Sequence, residues 1–195
     1  LPPTLNIDNI SGIELTLPYY LNLSPQSDAT LYPTLMTRRG IDLAGEYRYL
    51  DHSYNGQLRA AYMASDRLRD ANRWAYAAQH NQLLDAPLGL GSVGLRLNLN
   101  RVSDDNYWRD FPRTMTSLTS RLLANEGVVS WARGPWAVTA GAYRWQTLQD
   151  IDAPIIAPFD RLPSLTASFV QTDQTLAGSR SEEHTSELQS RHNRG

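Results

Sequence analysis

Three short stretches carry residue types that chemistry uses. Asp51-His52-Ser53 holds the three residue types of a hydrolase triad. A triad works by converging on one substrate atom, and neighbours in sequence on a single turn do not usually converge, so no catalysis is expected there. Asp104-Asp105-Asn106 with Asp110 offers oxygen ligands for calcium. The glycine and terminal glutamate of a calcium loop are missing, so a solvated loop is expected instead. Asn9-Ile10-Ser11 and Asn22-Leu23-Ser24 fit the glycosylation pattern, which carries little weight by itself. With no cysteine there is no thiol nucleophile, disulfide or Cys-based metal site in this stretch. The chain shows no glycine-rich phosphate loop and no metal-spaced histidine pair, so neither an enzyme nor a cofactor is expected.

The remaining polar residues follow a different rule. Val93, Leu95, Leu97 and Leu99 alternate with Gly94, Arg96, Asn98 and Asn100, which is the period of a strand with one apolar and one wet face. Ile41, Leu43, Gly45, Tyr47 and Tyr49 oppose Asp42, Ala44, Glu46 and Arg48 in the same way. Ile13, Leu15, Leu17, Tyr19 and Leu21 oppose Glu14, Thr16, Tyr20 and Asn22. Further strands are expected at about 30–37, 57–63, 73–82, 118–132, 136–146 and 163–172. Turn-forming clusters separate them, so the nine strands form an all-β antiparallel meander. Residues 103–117 and 148–161 are rich in Asp, Pro and aromatics and are expected to be structured loops.

Length separates two architectures that share this alternation. Ten residues at about 3.3 Å each, tilted by about 40°, span about 25 Å, the height of the apolar band of an outer-membrane barrel. Strands of soluble sandwiches usually run to about five or six residues. Aromatics gather at strand ends (Tyr19, Tyr20, Tyr47, Tyr49, Trp74, Trp131, Trp136, Trp145), where a membrane girdle would sit. The expectation is an incomplete piece of a large transmembrane β-barrel, an open curved sheet with an unpaired edge. A diffusion porin, a barrel-type outer-membrane enzyme and a soluble carbohydrate-binding sandwich are the competing readings.

Composition adds limits. The formal charge of −2 gives no basic footprint for nucleic acid and no acidic excess for disorder, and no apolar run is long enough for a spanning helix. All 18 basic residues are Arg. The tail from Arg180 to Ser190 looks like one reading frame of a sequencing adapter. Residues 180–195 are therefore expected to be non-native, with His184 and His192 uninformative, and residues 1–179 to be the N-terminal portion of the barrel, cut near Ser179.

Pro18-Tyr19-Tyr20-Leu21-Asn22-Leu23-Ser24-Pro25, then Asp28-Ala29-Thr30-Leu31, resembles the motif that opens the barrel of the lipopolysaccharide-assembly family LptD. Arg38-Arg39-Gly40, Glu46-Tyr47-Arg48-Tyr49-Leu50, Val102-Ser103-Asp104 with Tyr107, Asp110 and Phe111, and Arg161-Leu162-Pro163 continue the likeness. The resemblance implies a 26-stranded barrel in the outer membrane of a Gram-negative bacterium, plugged by the lipoprotein LptE. It also implies a periplasmic jellyroll that receives lipopolysaccharide from an LptA bridge, and a seam between first and last strands that releases it. Pro18 and Pro33 match the family's gate prolines. Proline donates no N–H and so weakens a strand pair, which suits a seam that must part. Glu14, Asp42, Glu46, Arg48, Arg96 and Asn98 would then face the lumen through which the sugar portion passes.

Overall fold

The computed structural model describes residues 1–86, 89–111 and 121–170. The tail 180–195, the end of the last expected strand and the first positions of the strand expected from Leu118 lie outside the described residues. Among the described residues eleven strands form one antiparallel sheet: β1 (Thr4–Asp8), β2 (Gly12–Thr16), β3 (Tyr19–Ser24), β4 (Ser27–Met36), β5 (Gly40–Leu50), β6 (Tyr54–Asp66), β7 (Ala71–Asp85), β8 (Ser92–Val102), β9 (Leu122–Arg133), β10 (Trp136–Thr147) and β11 (Arg161–Phe169). They pair in the order β1-β2-β4-β5-β6-β7-β8-β9-β10-β11, and β3 also pairs β4. β1 and β11 stand at opposite ends of this path and do not pair with each other, so the sheet is open.

The meander is the expected one, with two differences. β1 was not anticipated; its Leu5 and Ile7 face Leu15 and Ile13 of β2. The first expected strand is divided at Leu17-Pro18 into β2 and β3, although both keep one continuous register against β4, from Glu14↔Met36 to Asn22↔Asp28. β4 to β10 have 10 to 15 residues each, too long for a small sandwich and long enough to cross a bilayer at a tilt.

Directly paired residues share a face, so the register sorts side chains without ambiguity. Leu35↔Ile41, Leu43↔Tyr62, Tyr62↔Trp74, Leu95↔Val129 and Ala140↔Leu165 lie on one face. This apolar face is uncovered: Ile41 is 63% exposed, Leu43 54% and Leu165 74%. Tyr49, Tyr54 and His80 cluster on it near the rim formed by turns 25–26, 51–53 and 134–135, with the Tyr49 hydroxyl 2.7 Å from His80 Nδ1. The tyrosine reaches across Gly56, where a Cβ would stand 2.2 Å from its hydroxyl.

The polar face carries the core, at the opposite rim. Tyr32, Ala44, Ala61, Ala75 and Val102 stand in one row across five strands. The three alanines leave a hollow, and the loop after β8 folds into it through the short helix α1 (Tyr107–Asp110), burying Tyr107 and Phe111 with their rings 4.6 Å apart. Ala61→Leu fills that hollow and is expected to destabilise the loop by about 1–3 kcal/mol through overpacking. The check is amide exchange: residues 107–111 should exchange faster while β9 and β10 keep their protection.

Candidate functional site

The register places all six residues expected in the lumen on the polar face. Glu46 and Arg48 join one cluster, in which Arg59 Nε donates to Glu46 at 3.0 Å and Arg48 donates to both oxygens of Asp28 at 2.8 and 2.6 Å. Asn98 accepts from Asn100 at 2.9 Å and faces Glu126 at 3.4 Å. Glu14 accepts from Asn6 at 3.0 Å, and Asp42 is buried near the loop rim. Arg96 stands apart, with no side-chain partner among the described residues.

The two prolines meet at one height. The Pro33 carbonyl accepts from the Leu17 N–H at 3.0 Å. An ordinary residue at 33 would return a second bond to the Leu17 carbonyl, and proline has no N–H to do so. Pro18 stands opposite Tyr32 in the same register, where alternation turns its nitrogen away from β4. That side is the outer edge, and β1 covers it only as far as Thr16. Together the prolines remove one donor from the β2/β3–β4 ladder and one from the uncovered edge beside it.

The densest polar arrangement was not anticipated. At the loop rim, Arg39 and Asp66 are wholly buried, and Arg73 and Asp110 nearly so. Arg39 Nε donates to Asp66 at 3.2 Å, Nη2 closes a second bond to the same carboxylate, and Nη1 donates to the Asp110 carbonyl at 3.0 Å. Arg73 Nη1 bridges Asp66 at 3.3 Å and Asp110 at 2.9 Å. Arg69 grips Asp110 from the half-buried side with two bonds, at 2.9 and 3.0 Å. Arg73 Nε lies in charge contact with Asp104 but is not aligned for a hydrogen bond, and its Nη2 has no partner among the described residues. The Arg39 guanidinium lies 4.1 Å from the centre of the Phe111 ring, adding a cation–π contact.

This network ties four separate segments together: the β4–β5 turn, the end of β6 with its turn, the start of β7, and α1. Burial alone pushes the Asp110 carboxyl up, but the bonds from Arg69 and Arg73 and the charge of Arg39 outweigh it and hold the group below the usual carboxylate range. The Tyr107 hydroxyl goes the other way, raised first by burial and then by the charge of Asp42. Asp104 and Asp110, weighed as calcium ligands or solvated residues, are engaged by arginines. Asp51 bonds Nδ1 of the fully exposed His52, and among the described residues no hydrogen bond joins His52 to the Ser53 hydroxyl.

Residues 71–194 match the family model "LPS transport system D", LptD. The chain belongs to the LptD family. Relatives named LPS-assembly protein LptD include that of Polaromonas sp. JS666, 50% identical over 179 residues, covering 91% of this chain and 22% of that protein. Those of Acidovorax sp. JS42 (50% over 172 residues; 85% and 21%) and Ralstonia nicotianae (39% over 173 residues; 89% and 21%) are similar. The chain thus spans about a fifth of the length of these LptD relatives. Within the LptD family match lie Arg73, Asp104 and Asp110, and the 91% coverage includes Pro33, Arg39 and Asp66 whichever end the unmatched residues come from.

Proposed function

We propose that this chain is wall of an outer-membrane β-barrel that assembles lipopolysaccharide into the outer leaflet, with β1–β3 forming one side of a seam that parts for the lipid. The observation that carries the reading is the two-faced sheet: long strands, an uncovered apolar face, and a polar face lined with paired charges and amides. An uncovered apolar side chain forgoes about 1.5–3 kcal/mol in water, so a face of them calls for a hydrocarbon surrounding. Lipopolysaccharide is divided in the same manner, with acyl chains suited to the apolar side and a charged glycan suited to the polar side. Its passage sideways out of the barrel requires strand pairs to separate. Each backbone bond contributes about 1 kcal/mol net, and more in hydrocarbon where no water replaces it. Pro18 and Pro33 lower that cost where the edge is least covered.

On this reading the polar face borders a hydrated lumen occupied by the lipoprotein LptE, and lipopolysaccharide arrives from an LptA bridge through a periplasmic jellyroll. No bond-making step is involved. A diffusion porin would share the two-faced sheet but gains nothing from an interrupted first strand.

The absence of cysteine from this chain permits a direct test in the full-length protein, freed of any other cysteines. Single cysteines at Leu43, Leu58 or Leu97 are expected to resist a water-soluble thiol reagent in intact outer membranes, and cysteines at Gln57, Glu46 or Asn98 to react. Equal reactivity on the two faces would rule out the membrane-wall reading. Surface lipopolysaccharide after depletion of the native protein, with and without complementation, tests the export assignment.

A further inference from the structure

A groove of about 520 Å³ opens on the polar face near the turn rim, with the 51–53 turn at its lip. Its floor is two adjacent rows of the sheet: Asn55, Asn81 and Arg96 in one, Gly94, Ser130 and Thr139 in the other. Gly94 keeps the floor open beside Arg96, because a Cβ there would stand 2.5 Å from the Ser130 hydroxyl.

The charge pattern of this groove differs from the rest of the face. From β4 to β8 the other strand arginines on the polar side, Arg48, Arg59 and Arg73, are each paired with a carboxylate. Arg96 is exposed and has no such partner among the described residues, and the hydroxyls of Ser130 and Thr139 make no side-chain bond there either. Asn81 donates to Asn55 at 3.3 Å, so the two amides hold each other in place. Asp51 at the lip has its carboxylate turned to His52 and lowered by that hydrogen bond first, then by Tyr54. The result is one guanidinium and two hydroxyls with free donors, converging on a hollow large enough for a sugar phosphate. A guanidinium binds a phosphate with two parallel hydrogen bonds, which is stronger and more directional than a single charge contact.

The geometry points to Arg96, with Ser130 and Thr139, as a binding site for the phosphate of a phosphorylated glycolipid moving along the polar face. This rests on the export reading and adds to it a fixed contact that selects the phosphorylated form. The site holds the headgroup by its anion while the acyl chains remain elsewhere.

The test uses full-length protein in detergent micelles and measures binding of bis-phosphorylated lipid A and of its dephosphorylated counterpart. Wild type is expected to prefer the phosphorylated form by at least about tenfold, the size of one charge-assisted bidentate contact. Arg96→Ala and Arg96→Gln should lose that preference, and Arg96→Lys should recover part of it. Arg96 bonds no other side chain among the described residues, so these variants should keep the wild-type thermal midpoint. An unchanged preference in Arg96→Ala and Arg96→Gln overturns the site while leaving the export reading intact. Failure of wild type to bind either lipid overturns the export reading instead, and the site with it. Competition by inorganic phosphate at low millimolar concentration, with no preference between lipids, would assign the groove to the free anion and overturn the glycolipid as its occupant.

Discussion

Asp110→Ala is expected to destabilise the loop rim by about 3–5 kcal/mol, because it leaves Arg39 and Arg73 buried with too little opposing charge. Arg69 is half-exposed and can turn its guanidinium to water, but the other two cannot. The opening this favours is local, since α1 is joined to the sheet mainly through these bonds and the Tyr107 and Phe111 rings. Amide exchange across residues 107–111 should therefore rise by at least about a hundredfold. Thermal unfolding of the full-length protein in detergent should shift down as well. Replacing Arg39 and Asp66 together by Met and Leu removes a cation and an anion at once, and is expected to be milder than Asp66→Ala alone. If Asp110→Ala exchanges and melts like wild type, the network is not what holds the loop.

The same carboxylate sets a pH dependence whose sign follows from its direction. Its folded value lies below the ordinary one, about 3.9 in an unfolded chain. The stabilisation is therefore complete above about pH 4 and is lost as the pH falls through the folded value. The contribution of Asp110 itself should be constant above about pH 5 and be lost in stronger acid, a response that Asp110→Asn should abolish.

Alternation made most of the sheet legible in the sequence. β5 and β8 were readable because every second residue from Ile41 and Val93 is apolar and the opposite ones are polar, and those two faces are what the register separates. β1 escaped because Leu5 and Ile7 give only one period of alternation before the Asn9 turn. The division at Leu17-Pro18 was foreshadowed by the proline, but its pairing partner at Pro33 required the register. The pairing within the ion network was not legible. Arg39, the Asp66–Arg73 pair and Asp110 are far apart in sequence and sit in or beside turns, where charge ordinarily signals solvent. Only folding shows that the 103–111 loop turns inward over the Ala44, Ala61 and Ala75 row and buries them. That run of small residues at strand period, facing a loop with Tyr107 and Phe111, was one signal, and the family-like motifs holding Arg39, Asp104 and Asp110 were another, though neither shows that these charges meet.

The six positions share one face of the sheet, yet their environments diverge in ways that parity does not encode. Glu46 and Arg48 neutralise their neighbours, Asp42 is buried near the loop rim, and Arg96 has no side-chain partner among the described residues. Which charge meets a partner depends on the strand beside it, and so on registers set by turn lengths.

Pro18→Ala with Pro33→Ala is expected to impair lipopolysaccharide delivery more than either change alone, because the two restored donors act on different interfaces at one height. The N–H at 33 faces the Leu17 carbonyl and completes the pair whose other bond is already 3.0 Å long. At about 1 kcal/mol net it should slow exchange of the Leu17 amide about fivefold. The N–H at 18 faces outward along the edge that β1 leaves uncovered after Thr16, and gives that edge one more bond for a closing strand. In hydrocarbon each bond is worth more, so a seam that opens thermally should open several-fold less often with both in place. Strains depending on the double variant should show normal amounts of folded, heat-modifiable protein, reduced surface lipopolysaccharide, and a wider loss of outer-membrane integrity than either single variant. Normal surface lipopolysaccharide in the double variant, with the Leu17 amide protected as expected, would mean that strand separation at Pro18 and Pro33 does not limit export and that the seam lies elsewhere.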